Sequence, residues 1–512
     1  MLRASSPARL PWWPEPIPVR ILVVTDGDLS FEPVPGGMSL SIALDALRTS
    51  PWWWVQYDVV RAHRNEDPSG IPAEYERFRF DDDVIDLDDF DQIWLFGKER
   101  DAVHPLGEGE LEAIARFMDG GGGVFATGDH GDIGASLCGD IPRVDRMRRW
   151  RWSAELGAPP SATGPDRNDT LVAGSDGVYR FTHQSDDVPQ HISPRYRPGW
   201  TALPWRKRSD PHPLLGRGDG AVTVLPDHMH EGACVVPHDP TESRLIGSYV
   251  TTYWPGDIMP EIVADGIVTA HHESDSRFGH VEGKTFGVVG AYDGHRVDVG
   301  RIAVDSSWHH WIDLNLEGFR ASDKGSDHYA AIQLYFRNVA WWTARRSTID
   351  AMFDVAMVGA RWLQPLNELQ QGEPISLLGY YGVKLMQKIA SKALVDEWIR
   401  WRLPHEVREI LIAQPAIAAM GPEPAPTRGF YAYREFALGG IIRELLAMPV
   451  RPGHRVEPGE IATRMERGLR NGFSALVAYE RDAAHHVDLL VASLEPVFAE
   501  QRIFMAPAGA GT

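Results

Sequence analysis

Short apolar runs alternate with helical segments in the first quarter of the chain, and this alternation constrains the fold more than any other feature. The runs are rich in β-branched and aromatic residues and are bounded by turn residues, as buried strands are. Between them, residues 39–47 and 108–118 carry apolar side chains at helical spacing. Such alternation indicates βαβ units around a parallel sheet. The predicted strands are residues 21–25, 54–60, 92–96 and 124–127.

The pattern changes twice further along the chain. Residues 140–213 are rich in Pro, Arg, Trp and Asp and predict a long insertion without regular structure. After it we predict strands at 221–225 and 245–250, a helix at 260–270, and a hairpin of residues 284–291 and 296–304 around Asp293-Gly294. The remaining segments have helical lengths and spacings; they are residues 328–345, 348–369, 375–402, 433–448 and 460–498.

These patterns divide the chain of 512 residues into three parts. Residues 1–18 are predicted to be an N-terminal arm, because they are rich in proline. Residues 19–324 are predicted to form an α/β domain with the insertion near 140–213. Residues 325–512 are predicted to form an all-α domain, through which the protein could form a homo-oligomer.

The charge and the cysteine content narrow the expected partners. A formal net charge of −20 argues against a nucleic-acid or anionic-membrane partner, since both require a basic face. No stretch approaches the roughly 18 to 20 apolar residues of a membrane span. Two cysteines indicate no disulfide framework and favour a reducing, cytoplasmic location. The five arginines between 143 and 151 are interpreted as a solvated loop or helix.

Histidines and carboxylates recur where strands are predicted to end. In an open α/β sheet, ligands bind at the carboxyl ends of the strands. If these segments converge there, they would form a metal or acid–base site that takes a small polar molecule. The four segments are Gly128-Asp129-His130-Gly131-Asp132, Pro226-Asp227-His228-Met229-His230-Glu231, His271-His272-Glu273 and Asp305-Ser306-Ser307-Trp308-His309-His310.

The chemistry of these residues suggests specific roles. In an extended segment, His228 and His230 would lie on the same face and could share one divalent ion, such as Zn, Mn or Fe. Such an ion would lower the pKa of its bound water, and Asp129 or Glu231 would serve as the general base. The alternative is that each histidine caps a helix or bonds to a backbone carbonyl. The candidate catalytic residues are Asp129, His130, Glu231 and His309, and the candidate metal ligands are His130, His228, His230 and His310.

A nucleotide cofactor is not expected. The four glycines at 120–123 precede a predicted strand, whereas a phosphate-binding or dinucleotide-binding loop follows one.

The strand and elbow GGGGVFATGDHGDIG, residues 120–134, resembles the fourth strand and elbow of the class I glutamine amidotransferase-like superfamily. Within it, the Gly128-Asp129-His130-Gly131 elbow is similar to that of the trehalose-utilisation (ThuA-like) branch. Gly300-Arg301-Ile302, followed by Trp308-His309-His310, resembles the segment that supplies the late histidine of that fold. The resemblance covers about the first 320 residues. It implies a flavodoxin-like parallel sheet with helices on both faces.

The departure from the family determines what activity to expect. A glutaminase requires a thiolate at the elbow, but position 130 is His and Cys138 lies eight residues further on. The chain is therefore not expected to be a glutamine amidotransferase. We expect a hydrolase or lyase that uses His/Asp chemistry on a small polar, carbohydrate-like substrate. The alternative is a non-catalytic ligand-binding or scaffold protein of the same fold.

Overall fold

The computed structural model describes most of the chain, in thirteen segments. The description covers residues 15–34, 38–64, 71–151, 171–173, 179–181, 189–199, 208–218, 220–226, 232–268, 284–321, 327–402, 433–448 and 458–504.

An eight-stranded, mostly parallel sheet forms the centre of the molecule. In space its strands follow the order β2-β1-β3-β4-β8-β7-β6-β5. The first five in that order are mutually parallel, and the last three add antiparallel pairings. Along the chain the strands are β1 (Ile17–Thr25), β2 (Val55–His63), β3 (Gln92–Phe96), β4 (Gly123–Thr127), β5 (Ser193–Pro194), β6 (Glu261–Val268), β7 (Lys284–Tyr292) and β8 (Ile302–Asp305).

Both faces of the sheet are buried, because successive side chains of a strand point to opposite faces. Ile21 and Val23 of β1 belong to one hydrophobic cluster, whereas Leu22 and Val24 belong to the other. The protein is therefore a mixed α/β protein with two cores. Its helices are α1 (Ser41–Arg48), α2 (Glu108–Asp119), α3 (Ala135–Cys138), α4 (Val144–Met147), α5 (Asp313–Ala321), α6 (His328–Trp342), α7 (Arg346–Ala360), α8 (Ile375–Ile389), α9 (Lys392–Trp401), α10 (Tyr433–Leu446) and α11 (Pro458–Phe504).

The described C-terminal region is helical and packs on the first of these cores. Helix α6 contacts α1 and β1, and α7 also contacts β1. The Trp398 ring of α9 meets the Trp54 ring edge-on, with centroids 5.1 Å apart. Helices α8, α10 and α11 pack closely together. A Cβ added at Gly379 of α8 would lie 1.6 Å from the Glu435 carbonyl oxygen of α10, and one at Gly440 of α10 would lie 2.0 Å from the Gly468 carbonyl oxygen of α11. One continuous hydrophobic cluster thus joins the sheet to these helices.

Three predictions for residues 245–304 are wrong. In the hairpin predicted from residues 284–291 and 296–304, the second strand is only Ile302–Asp305, because Gly294–Val297 form a 3-10 turn. Residues 260–270, predicted as a helix, contain strand β6, which pairs with β7. Residues 245–250, predicted as one strand, lie in a hairpin of Ser243–Ile246 and Tyr249–Thr252 that turns at Gly247, where φ is +57°. Short apolar runs fit either a helix or a strand, and pairing with β7 decides the outcome for β6.

Two of the five long helices predicted in the C-terminal region are interrupted, whereas residues 460–498 lie within the single helix α11. Residues 375–402 form two helices, because the backbone leaves the helical region at Ala390 and the Ser391 hydroxyl caps α9 by accepting the Leu394 N–H. Residues 348–369 likewise end as a helix at Ala360 and continue in a short 3-10 turn, Leu366–Glu368.

Short two-stranded pairings occur in the described parts of residues 171–252. Residues 221–225 are interrupted there, rather than forming the single strand predicted. Because α4 and β5 also lie within residues 140–213, the prediction that this insertion has no regular structure is wrong for its described parts. No helix of the described segments has both the length and the apolar character needed to cross a membrane. Besides the hairpin above, the short strands are Leu171–Ala173, Tyr179–Phe181, Pro189–His191, Arg197–Gly199, Arg208–Asp210, Gly216–Arg217, Gly220–Ala221 and Val224–Pro226.

Candidate functional site

The parallel strands end at one edge of the sheet, which we call the carboxyl edge. Thr25, Phe96, Thr127 and Asp305, the last residues of β1, β3, β4 and β8, are in register across the four strands. The residues that follow these strands therefore emerge side by side. This register brings the elbow after β4 next to the turn after β8.

The elbow after β4 is a tight, glycine-dependent turn. The Asp129 N–H donates to the Ile133 carbonyl at 3.0 Å, and Gly131 has φ +66°. Gly134 has φ +91°, and a Cβ there would lie 2.8 Å from the Gly128 Cα. Only glycine fits such a left-handed position without strain. The turn holds Asp129 and His130 at the carboxyl edge.

Asp129 is the centre of the site. Its carboxylate is 2% exposed. One oxygen, Oδ2, accepts the Nδ1–H of His130 at 2.8 Å and lies 3.7 Å from Nε2 of His309. The other oxygen accepts the Ser307 hydroxyl at 3.0 Å. A single buried carboxylate thus contacts two imidazoles that are far apart in the sequence.

The second imidazole is held by the turn that follows β8. Ser307 begins this 3-10 turn, Trp308–His310, and its hydroxyl accepts the His309 N–H at 3.1 Å. The Nδ1–H of His309 donates to the Asn315 amide oxygen at 2.8 Å, and the Trp308 ring lies against the His309 ring with centroids 4.0 Å apart. The buried His309 ring is therefore fixed on both sides.

The neighbouring histidine contacts a different carboxylate. His310 is fully buried, and its Nδ1–H donates to Asp305 at 2.6 Å. The other oxygen of Asp305 accepts the Trp311 indole N–H at 3.0 Å and the Tyr335 hydroxyl at 2.9 Å. These bonds tie β8 to the turn and to α6.

A further carboxylate lies at the ends of β1 and β3. Asp26 is 2% exposed and accepts the backbone N–H groups of Lys98 and Glu99 at 2.5 and 3.1 Å. Burial raises the pKa of Asp26 to about 7, despite these hydrogen bonds. The Glu99 carbonyl accepts the Gly134 N–H at 2.9 Å, so this group adjoins the elbow.

Both cysteines are buried, which argues against a role as a catalytic thiolate. Cys138 is buried at the end of α3, and burial raises the pKa of its thiol well above the ordinary value. Cys234 is buried as well. A neutral, buried thiol is inert compared with a catalytic thiolate.

The structure places the predicted residues in three groups. Asp129, His130 and His309 come together, whereas His310 joins Asp305. The candidates His228, His230 and Glu231 lie outside the described residues, as does the segment 271–273. In the described part of the chain, no group of three His, Cys, Asp or Glu side chains could hold a metal ion.

Sequence reasoning missed several residues of the site. Ser307 had a local signal, because serine favours the start of a helical turn. Asn315 had none, since its partner depends on the fold of the turn. The arginines between 143 and 151 were interpreted as solvated, which is wrong for Arg143 and Arg148: they are 0% and 2% exposed. Both donate to backbone carbonyls of distant segments, and Arg143 also forms an ion pair with Asp119, which together explain their burial.

Comparisons with known proteins leave the function open. No protein-family model matches the chain, and no curated protein matches it. Among solved structures, the chain is similar to one described as the mmIFT52 N-terminal domain, with 11% identity and a TM-score of 0.23. The match covers 61% of this chain and 93% of that one. At so low a TM-score, the likeness supports no argument about fold or function.

Proposed function

We propose that this protein is an enzyme that uses His/Asp acid–base chemistry on a small polar substrate, as a hydrolase or lyase. The observation that carries the proposal is the buried Asp129 carboxylate, which bonds to His130 and lies 3.7 Å from His309. A carboxylate that accepts the Nδ1–H of a histidine fixes its tautomer and makes Nε2 the nitrogen for proton transfer.

The exposure of the two imidazoles suggests a division of labour. The His130 side chain is 30% exposed, so a substrate bound at the carboxyl edge can reach it. His309 is almost completely buried and is oriented by Asn315. His130 is therefore assigned as the general base or acid that meets the substrate. His309 is assigned a supporting role: when both of its ring nitrogens carry a proton, it would stabilise the negative charge on Asp129, because its Nε2 lies 3.7 Å from Oδ2. Proton transfer of this kind contributes about 10²- to 10⁴-fold to a rate.

The fold proposed for this chemistry is the class I amidotransferase-like one. Its support is the strand order β2-β1-β3-β4-β8, which counts as 2-1-3-4-5 among the parallel strands, the flavodoxin-like order. In such sheets the ligand binds where the order reverses, here between β1 and β3. Asp26 lies at that point, which favours a crevice between Asp26 and the elbow. A carbohydrate-like substrate is part of this proposal.

The proposal also includes a divalent metal ion at this site, which is tested separately from the acid–base chemistry. In each of His130, His309 and His310, Nδ1 bonds to a side-chain oxygen, as in many metal-binding histidines. Metal chemistry at these rings would pass through Nε2. The remaining proposed ligands, His228 and His230, lie outside the described residues.

The test combines metal analysis with turnover. Purified protein would be analysed for zinc, manganese and iron, then assayed with chromogenic nitrophenyl esters, glycosides and phosphates, with and without added metal. We expect the His130→Gln variant to lose at least about 10²-fold of any turnover. The matched control is His104→Gln, a histidine that is 51% exposed and also pairs with a carboxylate, Glu99.

Two results would contradict the proposal. His130→Gln could hydrolyse a probe as fast as the wild-type protein, which would remove the dyad from the chemistry. Alternatively, wild-type protein could turn over none of the probes in either metal state, which would favour the non-catalytic, ligand-binding alternative.

A further inference from the structure

Arg148 is a buried cation, and in the described segments its hydrogen bonds all go to backbone carbonyls. Its Nε donates to the Asp305 carbonyl at 3.0 Å, and its Nη2 donates to the Asp129 and Ser306 carbonyls, both at 2.7 Å. The guanidinium also lies against the Trp150 ring, 4.5 Å from the centroid. In the described segments it forms no ion pair with a carboxylate.

Such a residue needs an explanation, because burying a cation without a paired carboxylate is costly. Burial accordingly lowers the pKa of Arg148. A neutral side chain of similar size would avoid that cost but could not donate to three carbonyls at once. The planar guanidinium carries five N–H donors in a fixed fork, which lysine does not. The need for several directed donors explains arginine at this position.

The three carbonyls belong to the two halves of the candidate site. The Asp129 carbonyl is in the elbow after β4, whereas those of Asp305 and Ser306 end β8. Between them, these two segments carry the Asp129–His130 pair and the turn with Ser307 and His309. Arg148 bonds to both segments and therefore fixes the distance between them.

Glycines beside Arg148 leave space for its guanidinium group. A Cβ added at Gly232 would lie 2.4 Å from Nη2 of Arg148, and one at Gly128 would lie 3.3 Å from Nη1. The Gly232 N–H itself donates to the Ser306 carbonyl at 2.9 Å. Gly128 and Gly232 thus leave the space that the Arg148 guanidinium occupies.

We propose that Arg148 is a positioning residue, which holds the elbow and the end of β8 in the arrangement that joins Asp129 to His130 and His309. The proposal rests on the proposed function for its catalytic meaning. Its structural consequence, the geometry of the His130 imidazole, can be measured without any substrate.

The experiment uses full-length protein labelled with ¹⁵N-histidine. NMR would record the tautomer of His130 and its hydrogen-bonded Nδ1–H proton, with the signals assigned from the His130→Gln variant. We expect Arg148→Lys, which keeps the charge but not the fork, to shift or abolish that Nδ1–H signal at a temperature at which the variant is folded. Arg148→Met should do the same.

The matched control is Arg143, which separates positioning from a general loss of stability. Arg143 is equally buried and donates to the carbonyls of Tyr253 and Thr252 at 2.8 and 2.7 Å, on segments other than those of the site. Arg143→Lys should lower the melting temperature but leave the His130 signal unchanged. If the Arg148 variants do not fold, Gly232→Ala displaces the guanidinium more gently and should shift the same signal.

The outcomes distinguish this proposal from the proposed function. A folded Arg148→Lys variant with an unchanged His130 signal would overturn the positioning role, whatever the turnover assays show, and so would an unchanged signal in Gly232→Ala. A shifted signal in a protein that turns over no probe would support the positioning role while the proposed function fails. Where a probe is hydrolysed, Arg148→Lys should lower kcat more than it changes KM.

Discussion

Buried charged side chains have different kinds of partner at the two edges of the central sheet. At the amino edge of β8, Arg301 is 0% exposed; it donates to Asp293 at 2.7 Å and pairs with Glu397, which is 3% exposed. At the carboxyl edge, Asp129 instead contacts two imidazoles, and Arg148 contacts carbonyls. Imidazoles can change charge near neutral pH, whereas an arginine cannot. The ion pair at the amino edge therefore serves architecture, whereas at the carboxyl edge two imidazoles lie against one buried carboxylate.

The largest loss of stability should come from breaking the ion pair between Arg301 and Glu397 at the amino edge. Arg301→Met leaves Glu397 buried without its main partner, which typically costs about 3–5 kcal/mol of unfolding free energy. Urea unfolding at pH 7 would measure this. The control is Arg48→Ala, whose side chain is 79% exposed beside Asp45 and should cost less than about 1 kcal/mol. A similar small loss for Arg301→Met would mean that this edge contributes little to stability.

The second-largest effect should be a loss of stability at acidic pH, which comes from His295 near the amino edge of β8. His295 is 3% exposed, and burial, together with Arg301 and Arg346, holds its pKa well below 6.5. Below pH 6.5 the unfolded chain binds a proton that the folded chain does not, so stability falls as the pH falls. The slope reaches about 1.4 kcal/mol per pH unit for one such group.

The measurement is the urea midpoint between pH 7.5 and 5.5. His295→Leu should flatten the pH dependence, whereas the exposed His104→Gln should not. His212, which is buried with a pKa held well below its ordinary value, should keep part of the dependence in the variant. An identical slope in His295→Leu would show that His295 is not the group responsible.

At the carboxyl edge, the contribution of Asp26 to stability should change in the opposite direction and fall as the pH rises. Because the pKa of Asp26 is raised to about 7, its contribution to stability is complete below about pH 3.9 and is lost as the pH rises through 7. Asp26→Asn keeps an acceptor for the backbone N–H groups and removes the charge. At pH 8 it should stabilise the protein by on the order of 1 kcal/mol, and the gain should shrink towards pH 5.

Asp28 provides the control for this change, since it is two residues away and its side chain is 77% exposed. Asp28→Asn should show no comparable gain at pH 8. If Asp26→Asn destabilises the protein at pH 8, the carboxylate is stabilised by its neighbours rather than strained by burial.

How much of this the sequence could predict depends on how local each interaction is. Strand β3 has the predicted bounds, and the approach of His309 to the Asp129–His130 pair follows from the rule that parallel strands end at one edge. The pairing of Arg301 with Glu397 spans 96 residues and depends on how α9 docks, which no local pattern records. Arg148 was misjudged for the same reason, because its acceptors are backbone carbonyls of other segments.

The smallest loss of stability should come from changing one glycine to alanine at either edge of the sheet. Gly131 lies in the elbow with φ +66°, and Gly121 precedes β4 at the amino edge with φ +90°. A Cβ at Gly121 would meet nothing within 4 Å, and one at Gly131 would meet only the Arg100 guanidinium at 3.9 Å. Changing either residue to Ala should therefore cost about 1 kcal/mol, from backbone strain alone. Only Gly131→Ala should also shift the His130 Nδ1–H signal, because it changes the turn that carries this imidazole. An unchanged signal in both variants would mean that the elbow backbone does not set the position of His130, and that side-chain contacts to Asp129 do.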